Sequence, residues 1–194
     1  WYSFPQWLID IWVKEYGFDA TEQLCIYFNS PAPTWIRVNT LKTSVEDVIS
    51  DLQQMDVGFE QHSDLPEAIR VDSLQLIKQS DLFKQGKILV QDLSSMLPAV
   101  VLNPSKNSYV LDMCAAPGGK TTHLSAIMNN SGKLTACDLH SHRVKLIEQN
   151  AERLGVHNIK CFAADATKLP AEFEKAFDAI LLDAPCSGLG VLNR

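Results

Sequence analysis

A chain of 194 residues with 46% hydrophobic and 21% charged side chains can bury a sizeable core, and its Gly and Pro content gives no reason to invoke disorder. Its net charge of −6 is unevenly spread: residues 1–104 carry 7 basic and 14 acidic side chains, residues 105–194 carry 10 and 9, so no strongly basic domain announces a nucleic-acid partner. No apolar run approaches the roughly 20 residues that span a bilayer, and no signal-like segment opens the chain, so a cytoplasmic protein is expected, without membrane contact.

Residues 4–16 place Trp7, Leu8, Ile11, Trp12 and Tyr16 on one helical face, with Ser3 as the expected N-cap, Pro5 in the first turn and Gly17 past the end. At this spacing Trp7 and Trp12 are expected in the core rather than stacked on bases, a role that Trp1 and Trp35 also offer. A second short helix is expected over 21–28; Pro31 and Pro33 then break the pattern, and Trp35-Ile36-Arg37-Val38 reads as a strand. Ser44 with Asp47 resembles a capping box opening an amphipathic helix to Met55. Short strands at 57–60, 69–71 and 87–90 complete a small α+β unit, and Asp92 is expected to cap a helix through Leu102 with a kink at Pro98.

From Ser108 strand and helix alternate. Strands are expected at 109–112, 133–138, 158–163 and 177–183, and helices at 119–128 and 141–154, the latter closed by Gly155. The fold class is therefore α/β with a parallel, helix-covered sheet. The expected division is a helical linker (1–30), a small α+β subdomain (31–104) and a Rossmann-like domain (105–194). Because the chain opens on Trp1 and stops at Arg194, directly after a motif-like segment, it reads as an internal piece of a longer protein.

The five cysteines, at 25, 114, 137, 161 and 186, form no C-x-x-C pair, so reduced thiols are expected and no metal site. Cys137 and Cys161 read as small core residues at strand ends. Four of the histidines, His123, His140, His142 and His157, lack metal spacing and receive no role.

The segment from Val110 to Thr122 reads as a buried strand, a turn containing Cys114, Ala115, Ala116, Pro117, Gly118, Gly119 and Lys120, and a helix start. Adjacent glycines let backbone approach a ligand, and a helix start offers unpaired N–H groups. Asp112, Asp138 and Asp183 end three strands and Asp165 lies two residues past another, so four carboxylates converge on the edge where α/β sheets bind ligands. A dinucleotide fails at the glycine spacing. A P-loop finds Gly119-Lys120-Thr121 and an acidic strand ending in Asp183, although Cys114 replaces its first glycine and Pro117 removes a phosphate-binding N–H. S-adenosylmethionine suits acids near a ribose with no triphosphate to neutralise.

These residues resemble the RNA (cytosine-5)-methyltransferases of the Fmu/Sun type, class I S-adenosylmethionine enzymes acting mostly on ribosomal RNA. The resemblance rests on Gln91-Asp92-Leu93-Ser94-Ser95-Met96, residues 112–121, Asp138-Leu139-His140, Asp165 and Asp183-Ala184-Pro185-Cys186-Ser187-Gly188. It implies a class I methyltransferase sheet, incomplete at its C-terminal side, after a subdomain similar to an RNA-recognition fold. It also implies that Cys114 to Lys120 hold the methionine part of the cofactor, Asp138 the ribose and Asp165 the adenine, with Asp183 at the junction of cofactor and target base. Cytosine carbon 5 becomes nucleophilic only after a thiolate adds to carbon 6; methyl transfer, proton removal and thiolate departure follow. In this family the Pro-Cys-Ser cysteine, here Cys186, assists product release, and the nucleophile is expected beyond Arg194. The expected partner is RNA, ribosomal RNA above all, giving 5-methylcytosine, while the piece itself is expected to bind cofactor weakly and not to methylate.

Lys120, Arg143, Lys145, Arg153, Lys160, Lys168 and Arg194 offer a local basic patch, although solvated faces are expected for most. A P-loop-like NTPase and a non-catalytic RNA-binding or assembly module remain the alternatives, and nothing in the sequence addresses oligomeric state.

Overall fold

The computed structural model describes residues 2–192, so Trp1 and Arg194 lie outside the described residues. Two units form: one takes the first 33 residues with the segment from Pro185 on, the other is Thr34–Ala184.

In the first unit, α1 (Gln6–Tyr16) and α2 (Phe18–Phe28) meet through Leu8, Trp12 and Cys25. Trp12 stacks on Phe28 with ring centroids 5.7 Å apart and meets the edge of Phe4 at the same distance. Two expectations are corrected. Pro5, not Ser3, takes the N-cap position, because Ser3 sits at φ +59° and the helix starts only at Gln6. Trp7 is 59% exposed while Trp12 is buried: among the described residues α1 packs mainly on α2, so only a narrow stripe of its apolar face is covered.

The second unit begins with β1 (Thr34–Val38), β2 (Phe59–Gln61), β3 (Ala68–Val71) and β4 (Ile88–Val90), an antiparallel sheet in the order β2-β3-β1-β4. Against it packs α3 (Val45–Gln54), whose Val48 and Leu52 join Ile36, Val38, Ile69 and Ile88 in one core. The capping box closes as read: Ser44 Oγ accepts from Asp47 N–H at 3.1 Å and Asp47 Oδ2 from Ser44 N–H at 3.4 Å. Two helices go beyond the sequence reading, α4 (Leu74–Gln79) and α5 (Asp81–Lys84), capped by Ser73 and Ser80. At six and four residues they are too short to display a period. Next comes α6 (Leu93–Leu102), which contains Pro98.

The second sheet holds β5 (Tyr109–Asp112), β6 (Lys133–Asp138), β7 (Ile159–Ala163) and β8 (Ala179–Leu181), all parallel, in the order β7-β6-β5-β8. The helices α7 (Gly119–Ile127) and α8 (Ser141–Leu154) connect its strands. Val110, Leu134 and Leu181 from the sheet meet Leu124 and Met128 in its core. Because β6 and β7 lie on one side of β5 and β8 on the other, the strand order reverses between β5 and β8, and the crevice falls at their carboxyl ends, where open α/β sheets bind ligands. No helix among the described residues is long and apolar enough to cross a membrane.

Candidate functional site

Register places the aspartates in steps. Asp112 pairs with Ala136 and Leu181 across the sheet and Asp138 with Ala163, so Asp138 and Asp183 stand two residues beyond the row of Asp112. Three of the four carboxylates close on the turn between β5 and α7, each by a different contact.

Asp112, 1% exposed, accepts from Thr121 Oγ1 at 2.7 Å through Oδ2, while its buried Oδ1 has no hydrogen-bond partner among the described residues. Burial pushes its carboxyl up to about 6, opposed by the Thr121 hydroxyl, a backbone N–H and Lys120. Asp138, also buried, accepts from Ala116 N–H at 3.2 Å. Its Oδ1 lies 3.4 Å from Arg143 Nη1, an ion pair without hydrogen-bonding geometry, so that oxygen too is unsatisfied. Asp183 forms an ion pair with Lys120 Nζ. Asp165 stands apart from the turn: it caps a 3-10 turn (Ala166–Lys168), accepting from Thr167 N–H at 2.9 Å and Thr167 Oγ1 at 2.6 Å. Those bonds, the hydroxyl first, hold its carboxyl below the usual range.

The turn is braced from outside. Ala115 N–H donates to Cys137 O at 2.9 Å, joining it to β6. From α8, Arg143 Nη2 donates to Ala116 O at 3.2 Å and Asn150 Nδ2 to Pro117 O at 2.8 Å. The Ala116–Pro117 peptide is cis. Gly118 adopts φ +100°, and a Cβ there would lie 3.2 Å from Ile147 Cα, so both backbone angle and space call for glycine. From the antiparallel sheet, the buried Arg37 donates to Gly119 O at 2.7 Å. None of these braces was expected from the sequence; Arg37 alone carried a signal, a charge inside an apolar strand.

A cavity of about 430 Å³ opens beside the turn, lined by Cys114, Ala116 and Lys120, by Asp183, and by Gln91 and Ser95 at the start of α6. Asp138 and Asp165 are not among its lining residues. Cys114 is half-buried, and burial followed by the charges of Asp138 and Asp112 pushes its thiol up, so it is no ready thiolate. Cys137 and Cys161 are pushed up to about 11, burial first among the causes. Cys186 belongs to the other unit, exposed, with its Sγ 3.4 Å from Gly188 N. All five cysteines are free. Thr121 is fully buried and its hydroxyl is spent on Asp112, which leaves the P-loop reading without the hydroxyl that would meet a cation.

A parallel sheet in this order, with a glycine turn after its first strand and carboxylates at the following strand ends, defines a Rossmann-like domain of the class I methyltransferase type. Residues 99–194 match the family model for the 16S rRNA methyltransferase RsmB/F, and residues 4–77 match that for the RsmF/B-like ferredoxin-like domain. The chain belongs to the RsmB/F methyltransferase family.

A Bacillus subtilis relative, named probable ribosomal RNA small subunit methyltransferase B, is 41% identical over 99% of this chain and 43% of its own length. The Caenorhabditis elegans protein named 26S rRNA (cytosine-C(5))-methyltransferase nsun-1 is 37% identical over 84% of this chain and 25% of its own. Among solved structures, a methyltransferase homologue from Pyrococcus horikoshii superposes with a TM-score of 0.88 at 34% identity, covering 100% of this chain and 63% of that one. NSun6 from the same organism, solved with SFG, gives 0.87 at 25% identity over 95% and 71%. The chain thus spans less than half the length of the curated relatives it matches.

Proposed function

We propose that this chain carries the S-adenosylmethionine site of an RNA (cytosine-5)-methyltransferase whose substrate is ribosomal RNA. The observation that carries the reading is the convergence of Asp112, Asp138 and Asp183 on the single turn between β5 and α7. The names of the relatives support the substrate, and SFG, an S-adenosylmethionine analogue, in NSun6 supports the cofactor.

The residues present fit such a group. S-adenosylmethionine brings a sulfonium and an ammonium, both cationic, together with ribose hydroxyls that donate hydrogen bonds. The site answers with carboxylates, two of whose buried oxygens, Asp112 Oδ1 and Asp138 Oδ1, have no hydrogen-bond partner among the described residues. When bound, the cofactor supplies an electrophilic methyl group. The turn from Cys114 to Lys120 holds the methionine part. Asp138, whose Oδ1 lies 3.4 Å from Arg143 Nη1, would hold the ribose. Asp165, past the end of β7, would hold the adenine. Lys120 orients Asp183, which lines the same cavity as the turn and would stand at the junction of cofactor and target base. Cys186 assists release of the methylated product, after a thiolate adduct at carbon 6 has made carbon 5 nucleophilic.

Calorimetric titration tests the cofactor half of the reading. S-adenosylhomocysteine is expected to bind, ATP with magnesium is not, and Asp138→Ala is expected to weaken S-adenosylhomocysteine about tenfold, the worth of one charge-assisted hydrogen bond. Tight ATP–magnesium binding without S-adenosylhomocysteine binding would sink the proposal.

A further inference from the structure

Arg37 is the largest of the fully buried side chains, yet no carboxylate among the described residues lies within ion-pair distance of its guanidinium. Its partners are neutral oxygens: Gln91 Oε1 at 2.6 Å and Gly119 O at 2.7 Å for Nη1, and Thr122 Oγ1 at 3.0 Å for Nη2. Its Nε has no hydrogen-bond partner among the described residues. Burial pulls its pKa down to about 9, opposed by Glu67, so the charge persists at neutral pH.

An arrangement like this is costly as packing alone. Burying an unpaired charge costs several kcal/mol, and an apolar side chain of similar volume fills such space with less penalty. The position raises the cost, because Gly119 and Thr122 lie in the first turn of α7, the positive end of the helix dipole, where a cation is disfavoured. What the charge does there is direct. It donates to the Gly119 carbonyl and to the Thr122 hydroxyl oxygen, whose own hydrogen reaches the carbonyls of Gly118 at 2.8 Å and Gly119 at 3.1 Å. Gln91, which shares the guanidinium, is itself held through its Nε2 to Ser95 O at 2.8 Å. The added positive potential at the start of α7 favours an anion, and S-adenosylmethionine carries one, its carboxylate, on the methionine part alone.

We infer that Arg37 is a positioning residue for the cofactor turn, presenting the Gly118–Gly119 backbone to the methionine end of the cofactor and making no contribution to the nucleoside end. The inference rests on the proposed function above.

The test separates the two halves of the ligand. S-adenosylhomocysteine contains the amino-acid part, whereas 5′-methylthioadenosine lacks it. Titrations of both are made into the parent chain, Arg37→Met and Thr122→Val. Arg37→Met is expected to weaken S-adenosylhomocysteine about tenfold or more and 5′-methylthioadenosine less than about twofold, with Thr122→Val moving the same way by about threefold. A general loosening of the fold would weaken both ligands together, so equal losses, or none, would overturn the inference. Should Arg37→Met fail to fold, Thr122→Val decides by the same criterion. If the parent chain binds neither ligand, the proposed function falls and takes this inference with it; binding by the parent with unselective losses overturns the inference alone.

Discussion

Asp112 lies where two demands oppose. Its carboxylate complements a cationic ligand, yet it is 1% exposed, and burial lifts it to about 6 from the ordinary carboxylate range. A raised folded-state pKa means that the native chain holds this proton more tightly than the unfolded one. Asp112 therefore contributes stability that is fully present below the unfolded carboxylate pKa and is lost as pH rises through about 6. Asp112→Asn keeps an acceptor for Thr121 and abolishes the charge. Urea unfolding should find this variant more stable than the parent at pH 8, by up to about 3 kcal/mol, with the advantage shrinking towards pH 5. An advantage that does not change with pH would mean that the carboxyl is not titrating in this window.

The turn between β5 and α7 shows what one element demands of one residue. At Gly118 a side chain meets φ +100° and the Cα of Ile147 at 3.2 Å, backbone that cannot yield as a flexible side chain would. Gly118→Ala should cost about 2 kcal/mol or more of stability, measurable as a lower urea midpoint. A Gly119→Ala change, whose Cβ would meet Gln91 only at 3.5 Å, should cost far less stability. This turn was legible because strand period, paired glycines and helix period adjoin within thirteen residues, 110–122, and β5, β6 and α8 fall on the residues expected for them. Asp112 and Asp138 were legible as strand-end residues, whereas the strand expected at 177–183 closes at Leu181 as β8 and leaves Asp183 two residues past its end. Their surroundings were not legible: Arg37 reaches Thr122 across 85 positions, Asn150 reaches Pro117 across 33 and Arg143 reaches Ala116 across 27, separations that no local pattern encodes. Nor does alternation reveal that Trp7 is exposed, since that depends on how many neighbours α1 has.

Within Thr34–Ala184 the antiparallel and parallel sheets are stitched together by polar side chains as much as by apolar ones. Asn39, which follows β1, donates to Gly86 O and to Leu154 O, both at 2.8 Å and both buried, and Lys42 Nζ reaches Arg153 O at 2.7 Å and Gln85 O at 2.9 Å. Arg153 returns the bond from α8, donating to Phe83 O at 2.8 Å and Ile88 O at 3.1 Å with its guanidinium over the Phe83 ring. The last carbonyls of α8, which have no partner inside the helix, thus take their donors from the other sheet. Two sheets that complete each other's hydrogen bonding should open together. Asn39→Ala strands two buried carbonyls and should cost about 2–4 kcal/mol. If the sheets form one cooperative unit, hydrogen exchange in the variant should lose the same increment of protection at amides of β1 and of β5, although the side-chain hydrogen bonds of Asn39 go to Gly86, Leu154 and Leu41. Loss confined to the antiparallel sheet, with β5 and β6 as protected as before, would mean that the smaller sheet opens by itself and that Arg37 holds the cofactor turn only while that sheet stays closed.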